Sequence, residues 1–458
     1  MSDGRFLSGS TMGHVVRMTA TGAFGITFVF LVDAANLVWM SQLGDPRLVA
    51  AIGFAFAIQY FSVSSGIGLM IACTALVSRS IGTGRRATAR EEAGAAMLTA
   101  AAVQAGVATV VVLFRHDLVA LAGATGETAA LAARYLAWTV PSLVVMVVGM
   151  NCSGVLRADG YGAKAMYITL SSGTVLMIVD PFLIIGLGLG LDGAAIGLVF
   201  FRIALMCMGL YFAVYQLRLI ALPRFSVGVR FAKPYLLLAL PAIATQMATP
   251  VGNYLLTIVM APFGDDAVAA WAVVGRLTVV AFGGIFALAG SIGGIFGQNY
   301  GAGALDRVRT TYRDALIFCL IYTLTMWAIL ASATPAVVWL FGLSGQGADV
   351  LRAFTHVGVG AFVFVGALFV SNAAFNTLGK PTRATFLNWL KETVIGWPVA
   401  IVLASAFGAA GVIYGQALAS VLVGSLACFW GWRFVQNLQA LAPQDLDPPP
   451  AQAYPNLD

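Results

Sequence analysis

A dozen stretches of about 20 or more almost uninterrupted apolar residues run from Met18 to the neighbourhood of Phe434, parted by short polar turns. About 20 residues is what a helix needs to cross a hydrocarbon layer of about 30 Å. Lipid offers no partner for backbone N–H and C=O groups, so only helices or closed barrels can span it. The runs are continuously apolar and rich in Gly and Ala, without the period of two that barrel strands show, which leaves helices. With 60% hydrophobic and 10% charged residues over 458 positions, the chain is excluded from the ordinary soluble classes. The expected fold is all-α and polytopic, with transmembrane helices over 14–41, 48–78, 93–114, 133–156, 164–189, 193–217, 235–262, 267–296, 315–341, 352–376, 384–406 and 410–434.

Lys and Arg mark the sides of the membrane, because positively charged short loops stay cytoplasmic. Alternate connections carry Arg79, Arg85, Arg86 and Arg90; Arg157 and Lys164; Arg218, Arg224, Arg230 and Lys233; Arg307, Arg309 and Arg313; and Lys380 and Arg383. The opposite loops carry only Arg47, Arg115, Arg134 and Arg352. Both termini are therefore expected in the cytoplasm, in the inner (plasma) membrane of the cell. This topology accounts for the pI of about 9.1, and no basic stripe interleaved with aromatics suggests nucleic acid. The first apolar run is too long for a signal peptide and is expected to stay as a helix. Cys73, Cys152, Cys207, Cys319 and Cys428 are scattered singly and read as apolar fillers, and His14, His116 and His356 are equally isolated. The Pro-rich end, 435–458, is expected to be a disordered cytoplasmic tail.

The chain repeats itself. LGDPRLVAAIGFAF at Leu43–Phe56 aligns with FGDDAVAAWAVVGR at Phe263–Arg276, offset by 220 from Gly44 to Gly264. SRSIGTG at Ser78–Gly84 aligns with GQNYGAG at Gly297–Gly303, and VLRADGY at Val155–Tyr161 with FNTLGKP at Phe375–Pro381, both offset by 219. Six spans separate the copies, so the halves share one topology and are related by an axis along the membrane normal. The expected organisation is an N-terminal segment at 1–13, a six-helix lobe at 14–217, a linker at 218–234 and a second six-helix lobe at 235–434. Two lobes facing across a cavity suit alternating access.

The order of these motifs resembles the multidrug and toxic compound extrusion (MATE) family, nearest its DinF-like branch. The resemblance rests on an Asp in the first span, G-D followed by VAA, S-R-x-x-G-x-G, and D-P in the fifth span. To these it adds L-x-L-P-x-x-x-x-Q at Leu238–Gln246, G-Q-N-x-G-A at Gly297–Ala302 and F-N-T-L-G-K-P. It implies a cation-coupled antiporter of twelve helices that expels amphipathic, often cationic, compounds in exchange for protons or sodium.

Asp33 and Asp180 lie inside the apolar runs VFLVDAANLVW and VLMIVDPFLII. A carboxylate in mid-membrane costs several kcal/mol unless a proton, a cation or a basic partner neutralises it, so both are expected to carry the coupling ion. The bland alternatives are a salt bridge from Asp33 to Arg202 and a capping role for Asp180 before Pro181. Asn253 is the repeat partner of Asp33 and cannot titrate, which concentrates titration in the first lobe. Related sequences often supply sodium-ligating oxygens where this chain has Leu176 and Leu198, and two leucines offer none, so proton coupling is expected over sodium.

Gln246, Tyr254 and Asn253 are expected to line the cavity with Arg202 and Glu392; Phe30, Phe54, Phe61 and Trp271 are further candidates, although aromatic residues in membrane helices more often face lipid or pack. Lys391 and Glu392 point about 100° apart on a helix and need not pair, and the reading that they snorkel to the interface stands beside a cavity role for Glu392. The Gly-rich loops lack the Lys-Ser/Thr of a P-loop and read as tight turns, so neither nucleotide nor other cofactor is expected. No metal-ligand cluster or nucleophile set suggests an enzyme. The expected partners are a small organic molecule, a proton or sodium and the bilayer, with one chain as the working unit. A flippase for lipid-linked saccharides remains the rival, with Arg202, Arg276 and Lys391 available to a pyrophosphate.

Overall fold

Each apolar run forms a helix, and nearly every helix outlasts its run by a few residues, because polar turns at the ends continue the backbone hydrogen bonding that lipid demands. The computed structural model describes residues 4–223 and 225–439; the expected tail beyond 439 and Arg224 of the expected linker lie outside them. Among the described residues there are sixteen α-helices and no strand. In the first half they are α1 (Thr11–Ser41), α2 (Pro46–Gly82), α3 (Arg86–Leu113), α4 (Arg115–Leu121), α5 (Gly126–Thr139), α6 (Leu143–Ala158), α7 (Gly162–Pro181) and α8 (Gly190–Leu210). In the second they are α9 (Phe225–Met260), α10 (Asp265–Gly301), α11 (Leu305–Leu340), α12 (Gly345–Ala353), α13 (Val359–Thr377), α14 (Pro381–Trp389), α15 (Trp397–Phe407) and α16 (Ala409–Gln436). Wider π-helical turns continue α7 over Phe182–Gly186 and α8 over Tyr211–Gln216. Others join α12 to α13 over Phe354–Gly358 and α14 to α15 over Leu390–Gly396.

Eleven of these helices or joined helices are long and apolar enough to cross a bilayer, and the bent pair α5–α6 makes a twelfth. The pair turns by 52° around Pro141, whose ring removes one helical hydrogen bond. Two differences from expectation stand out. The short helix α4 follows the third span, and α9 begins at Phe225, so the seventh span extends back into the stretch expected to be linker.

The lobes meet at one end only. The α2 motif S-R-S-I-G and the α10 motif G-Q-N-Y-G cross so closely that a methyl on Gly82 would strike the Gln298 carbonyl, one on Gly297 the Ser78 side chain and one on Gly301 the Arg79 carbonyl. The Gly-rich repeats are thus more than tight turns: they let the backbones of two lobes touch. Arg79 reaches across from Nε to the Thr377 carbonyl at 2.5 Å. The N-terminal segment seals the same end, with Phe6 buried and its N–H donating to Gln298 Oε1 at 3.0 Å. Arg307 Nη2 donates to the Phe6 carbonyl at 2.7 Å. This closed end carries the Arg-rich loops.

Toward the other end the lobes part. No residue of α2 from Ser62 to Gly82 is exposed, whereas Ala50, Gly53, Phe56, Ala57, Tyr60 and Phe61 are. On α10 nothing from Ala281 to Tyr300 is exposed, whereas Ala269, Ala272, Gly275, Arg276 and Val280 are. Since α2 and α10 are the central helices, wrapped by the rest of their lobes, these exposed rows line a cleft that opens away from the Arg-rich end.

Candidate functional site

Helix α1 presents one row of residues to α7. Methyls placed on Gly25 and Gly173 would touch Thr169 on one side and Phe28 and Val32 on the other. One turn further along the same row, Asn36 Nδ2 donates to Asp180 Oδ2 at 2.5 Å. Asp180 is 1% exposed, and its other oxygen, Oδ1, has no hydrogen-bond partner among the described residues. That oxygen lies against Gly197 of α8, where a side chain would overlap it, beside Leu176. Pro181 and the π-helical turn after it leave the helix wide at this point.

Asp33 occupies a different face. Its side chain is exposed, and among the described residues it makes no hydrogen bond or ion pair. Asn36, three residues on from Asp33, is bonded to Asp180, which sets the two carboxylates near each other. The structure therefore brings the two expected carboxylates together but gives them unlike settings: Asp33 open to the cleft, Asp180 buried with one donor. Sequence reasoning missed Asn36, although D-x-x-N puts both side chains on adjoining positions of one helix.

Arg202 is not the partner of Asp33. It is buried, with Nη1 donating to the Thr139 carbonyl and, at 2.8 Å, to Ser142 Oγ, and Nη2 donating to Gln59 Oε1 at 2.8 Å. Gln59 Nε2 in turn donates to Thr139 Oγ1 at 2.8 Å. The carbonyls released by the α5–α6 bend need donors, and a delocalised guanidinium supplies several in a plane. Its position is that of a staple on the bend, away from the cleft surface where it was expected.

In the second lobe Asn253 and Tyr254 are exposed on α9 and Gln246 is half-buried. Thr257 Oγ1 donates to the Asn253 carbonyl at 2.8 Å and accepts from Trp271 Nε1 at 3.1 Å. Lys391 and Glu392 do pair, Nζ to Oε1 at 2.6 Å, and both are buried rather than snorkelling. They sit in the π-helical turn Leu390–Gly396, whose altered spacing overrides the 100° argument. The Glu392 carboxylate packs on Gly252, next to Asn253, and is engaged rather than free in the cleft.

A family model, MatE, matches residues 23–183 and 241–402. The two segments start 218 and end 219 residues apart, the spacing of the internal repeat. The chain belongs to the MATE family. Membership makes it a membrane transporter of small molecules and not an enzyme. Among its relatives are a FAD transporter of Shewanella oneidensis, 26% identical over 94% of this chain and 96% of that one. The multidrug export protein MepA of Staphylococcus haemolyticus is 23% identical over 86% and 87% of the two chains. The MATE transporter VcmN of Vibrio cholerae, in its bent form, superposes with a TM-score of 0.84 at 24% identity, covering 93% of this chain and 97% of that one.

Proposed function

We propose that this MATE transporter exports amphipathic organic cations in exchange for protons, with Asp33 as the exchange site and Asp180 as its buried partner. The observation that carries the reading is the solitary Asp33, an ionisable group open to the cleft with no resident partner, so that a proton and a cationic substrate compete for it. A group that binds either, on whichever side the cleft opens, yields antiport. The Arg-rich closed end would be cytoplasmic, with both termini there, and the cleft would open outward from the inner membrane. One chain encloses one cleft, and we read the working unit as a monomer. The motif order favours the DinF-like branch.

The surroundings of Asp180 favour a proton over sodium. A sodium ion wants several oxygens, whereas the free oxygen of Asp180 faces Gly197 and Leu176. A lipid-linked saccharide is disfavoured, because of Arg202, Arg276 and Lys391 only Arg276 is exposed. That same exposed cation favours a second reading, an anionic dinucleotide cargo such as the Shewanella relative's name describes.

The test uses proteoliposomes with a preset pH gradient and no sodium, comparing native protein with Asp33→Asn. Proton flow on adding ethidium in the native protein alone supports the reading. Flow that waits for sodium moves the coupling to that ion, flow on adding FAD but not ethidium favours the second reading, and undiminished coupled flow in Asp33→Asn refutes the role of Asp33.

A further inference from the structure

Helix α10 turns one continuous row toward α1. Ala269, Ala272, Arg276 and Val280 are its exposed members, and the same spacing of three and four continues through Gly283, Ala287 and Ser291. The lower three touch α1 in a single antiparallel register. Ser291 Oγ donates to the Met18 carbonyl at 3.2 Å. A methyl on Gly22 would lie 3.0 Å from the Ala287 Cβ, and one on Gly283 would lie 3.5 Å from Thr27 Oγ1 and 3.9 Å from Ile26. The residue numbers add to 309 for Met18 with Ser291, Gly22 with Ala287 and Ile26 with Gly283, and to 310 for Thr27 with Gly283. Continued outward, the register sets Asp33 opposite Arg276, and Met18, Gly22, Ile26 and Asp33 share one face of α1.

The two helices separate just past their last contact. Phe282, next to Gly283, has non-helical dihedrals, φ −111° and ψ 15°, and it kinks α10 there. Beyond it Asp33 and Arg276 are both exposed, opposite in charge, and among the described residues neither makes a hydrogen bond or ion pair. The other groups that face Asp33 do not neutralise it. From α7 comes Asp180 and from α5 Tyr135; Arg202 of α8 is turned to neutral oxygens; and α11 brings Tyr322 only as far as Gly284.

We propose that when the outer half of the cleft closes about the Phe282 kink, Arg276 pairs with Asp33, and that a cationic substrate reaches Asp33 by displacing Arg276. This rests on the exchange reading of Asp33 given above. The pair latches the empty, deprotonated carrier with its outer end shut. A carrier whose Asp33 holds a proton or a substrate cannot make the pair, so only loaded forms reorient freely. Exchange without leak requires that rule, since an empty carrier that reorients dissipates the gradient.

The test places spin labels on Leu37→Cys and Ala272→Cys, exposed positions in the same register, after Cys207→Ser and Cys428→Ser remove the accessible native thiols. In bilayers at alkaline pH without substrate, a short inter-label distance is expected, lost on adding ethidium or on acidification. Arg276→Gln should deplete that short-distance population about tenfold, the effect of losing about 1.4 kcal/mol, and should admit proton flux without substrate. Arg276→Lys should restore most of both, which a folding defect would not allow. An unchanged short-distance population and no leak in Arg276→Gln would overturn the proposal. If Asp33→Asn abolishes coupled transport while Arg276→Gln behaves as native, the latch alone fails; if Asp33→Asn transports normally, the exchange reading fails with it.

Discussion

Replacing Gly82 by Ala adds one methyl where α2 and α10 cross at the closed end. That methyl would meet the Gln298 backbone, its Cα at 2.9 Å and its carbonyl closer still. Backbone cannot rotate away as a flexible side chain can, so the helices must move apart, and overpacking of this kind costs about 1–3 kcal/mol. The strain exists only while this end is shut. If the lobes part there in the alternate state, the mutation favours that state by a factor of about 5–150. Ser291→Cys reports the change, because Ser291 is buried in the closed α1–α10 contact and becomes alkylable only when the contact opens. Its alkylation by a maleimide in membranes should accelerate by the same factor in the Gly82→Ala background. Gly94→Ala is the control: its methyl would strike the Ala221 carbonyl where the linker packs on the first lobe, lowering thermal stability without favouring either state. Equal alkylation rates with and without Gly82→Ala would refute the idea that this crossing is a gate. An equal acceleration in Gly94→Ala would mean general loosening.

Phe6→Ala empties a buried site on the second lobe's core and should weaken the same seal, large-to-small changes of this size costing about 3–5 kcal/mol; faster alkylation of Ser291→Cys checks it. Gln59→Leu takes an acceptor from the buried Arg202 and one donor from Thr139, and should destabilise the protein by about 1–3 kcal/mol in thermal unfolding. Lys391→Met or Glu392→Met alone strands a buried charge, at about 3–5 kcal/mol, whereas the double replacement should unfold close to the native protein. Asn36→Leu removes the donor that Asn36 gives Asp180 and should lower coupled transport at least about tenfold, with the amount of folded protein in the membrane unchanged.

Much of the site was legible because polar residues inside apolar runs are few and costly. Asp33, Asp180 and Arg202 could be picked out by that alone, and the period of a helix even predicts that Asp33 and Asn36 lie near each other. What each one touches was not legible. Arg202 looked like a counter-ion for Asp33 because both are charged and the sequence holds no record of the α5–α6 bend, whose Thr139 carbonyl and Ser142 hydroxyl claim the guanidinium. Lys391 and Glu392 looked unpaired because the 100° step assumes a regular α-helix, and the π-helical turn that brings them together depends on how α14 and α15 settle against α9 and α16.

The amino-acid sequence by itself determined the solvent of this protein, its helical class, its duplication and its family. Those follow from the length and apolarity of each run and from the order of short motifs, quantities that need no knowledge of what lies across the chain. Tertiary structure decided which charges are free. Only the meeting of the lobes at the glycine crossings, and their parting beyond Phe282, leaves Asp33 and Arg276 open to the cleft while Arg202, Lys391 and Glu392 are buried and engaged. The reason is physical: the cost of a charge in a membrane is set by the groups within a few ångströms of it, and here those groups come from helices far apart in sequence.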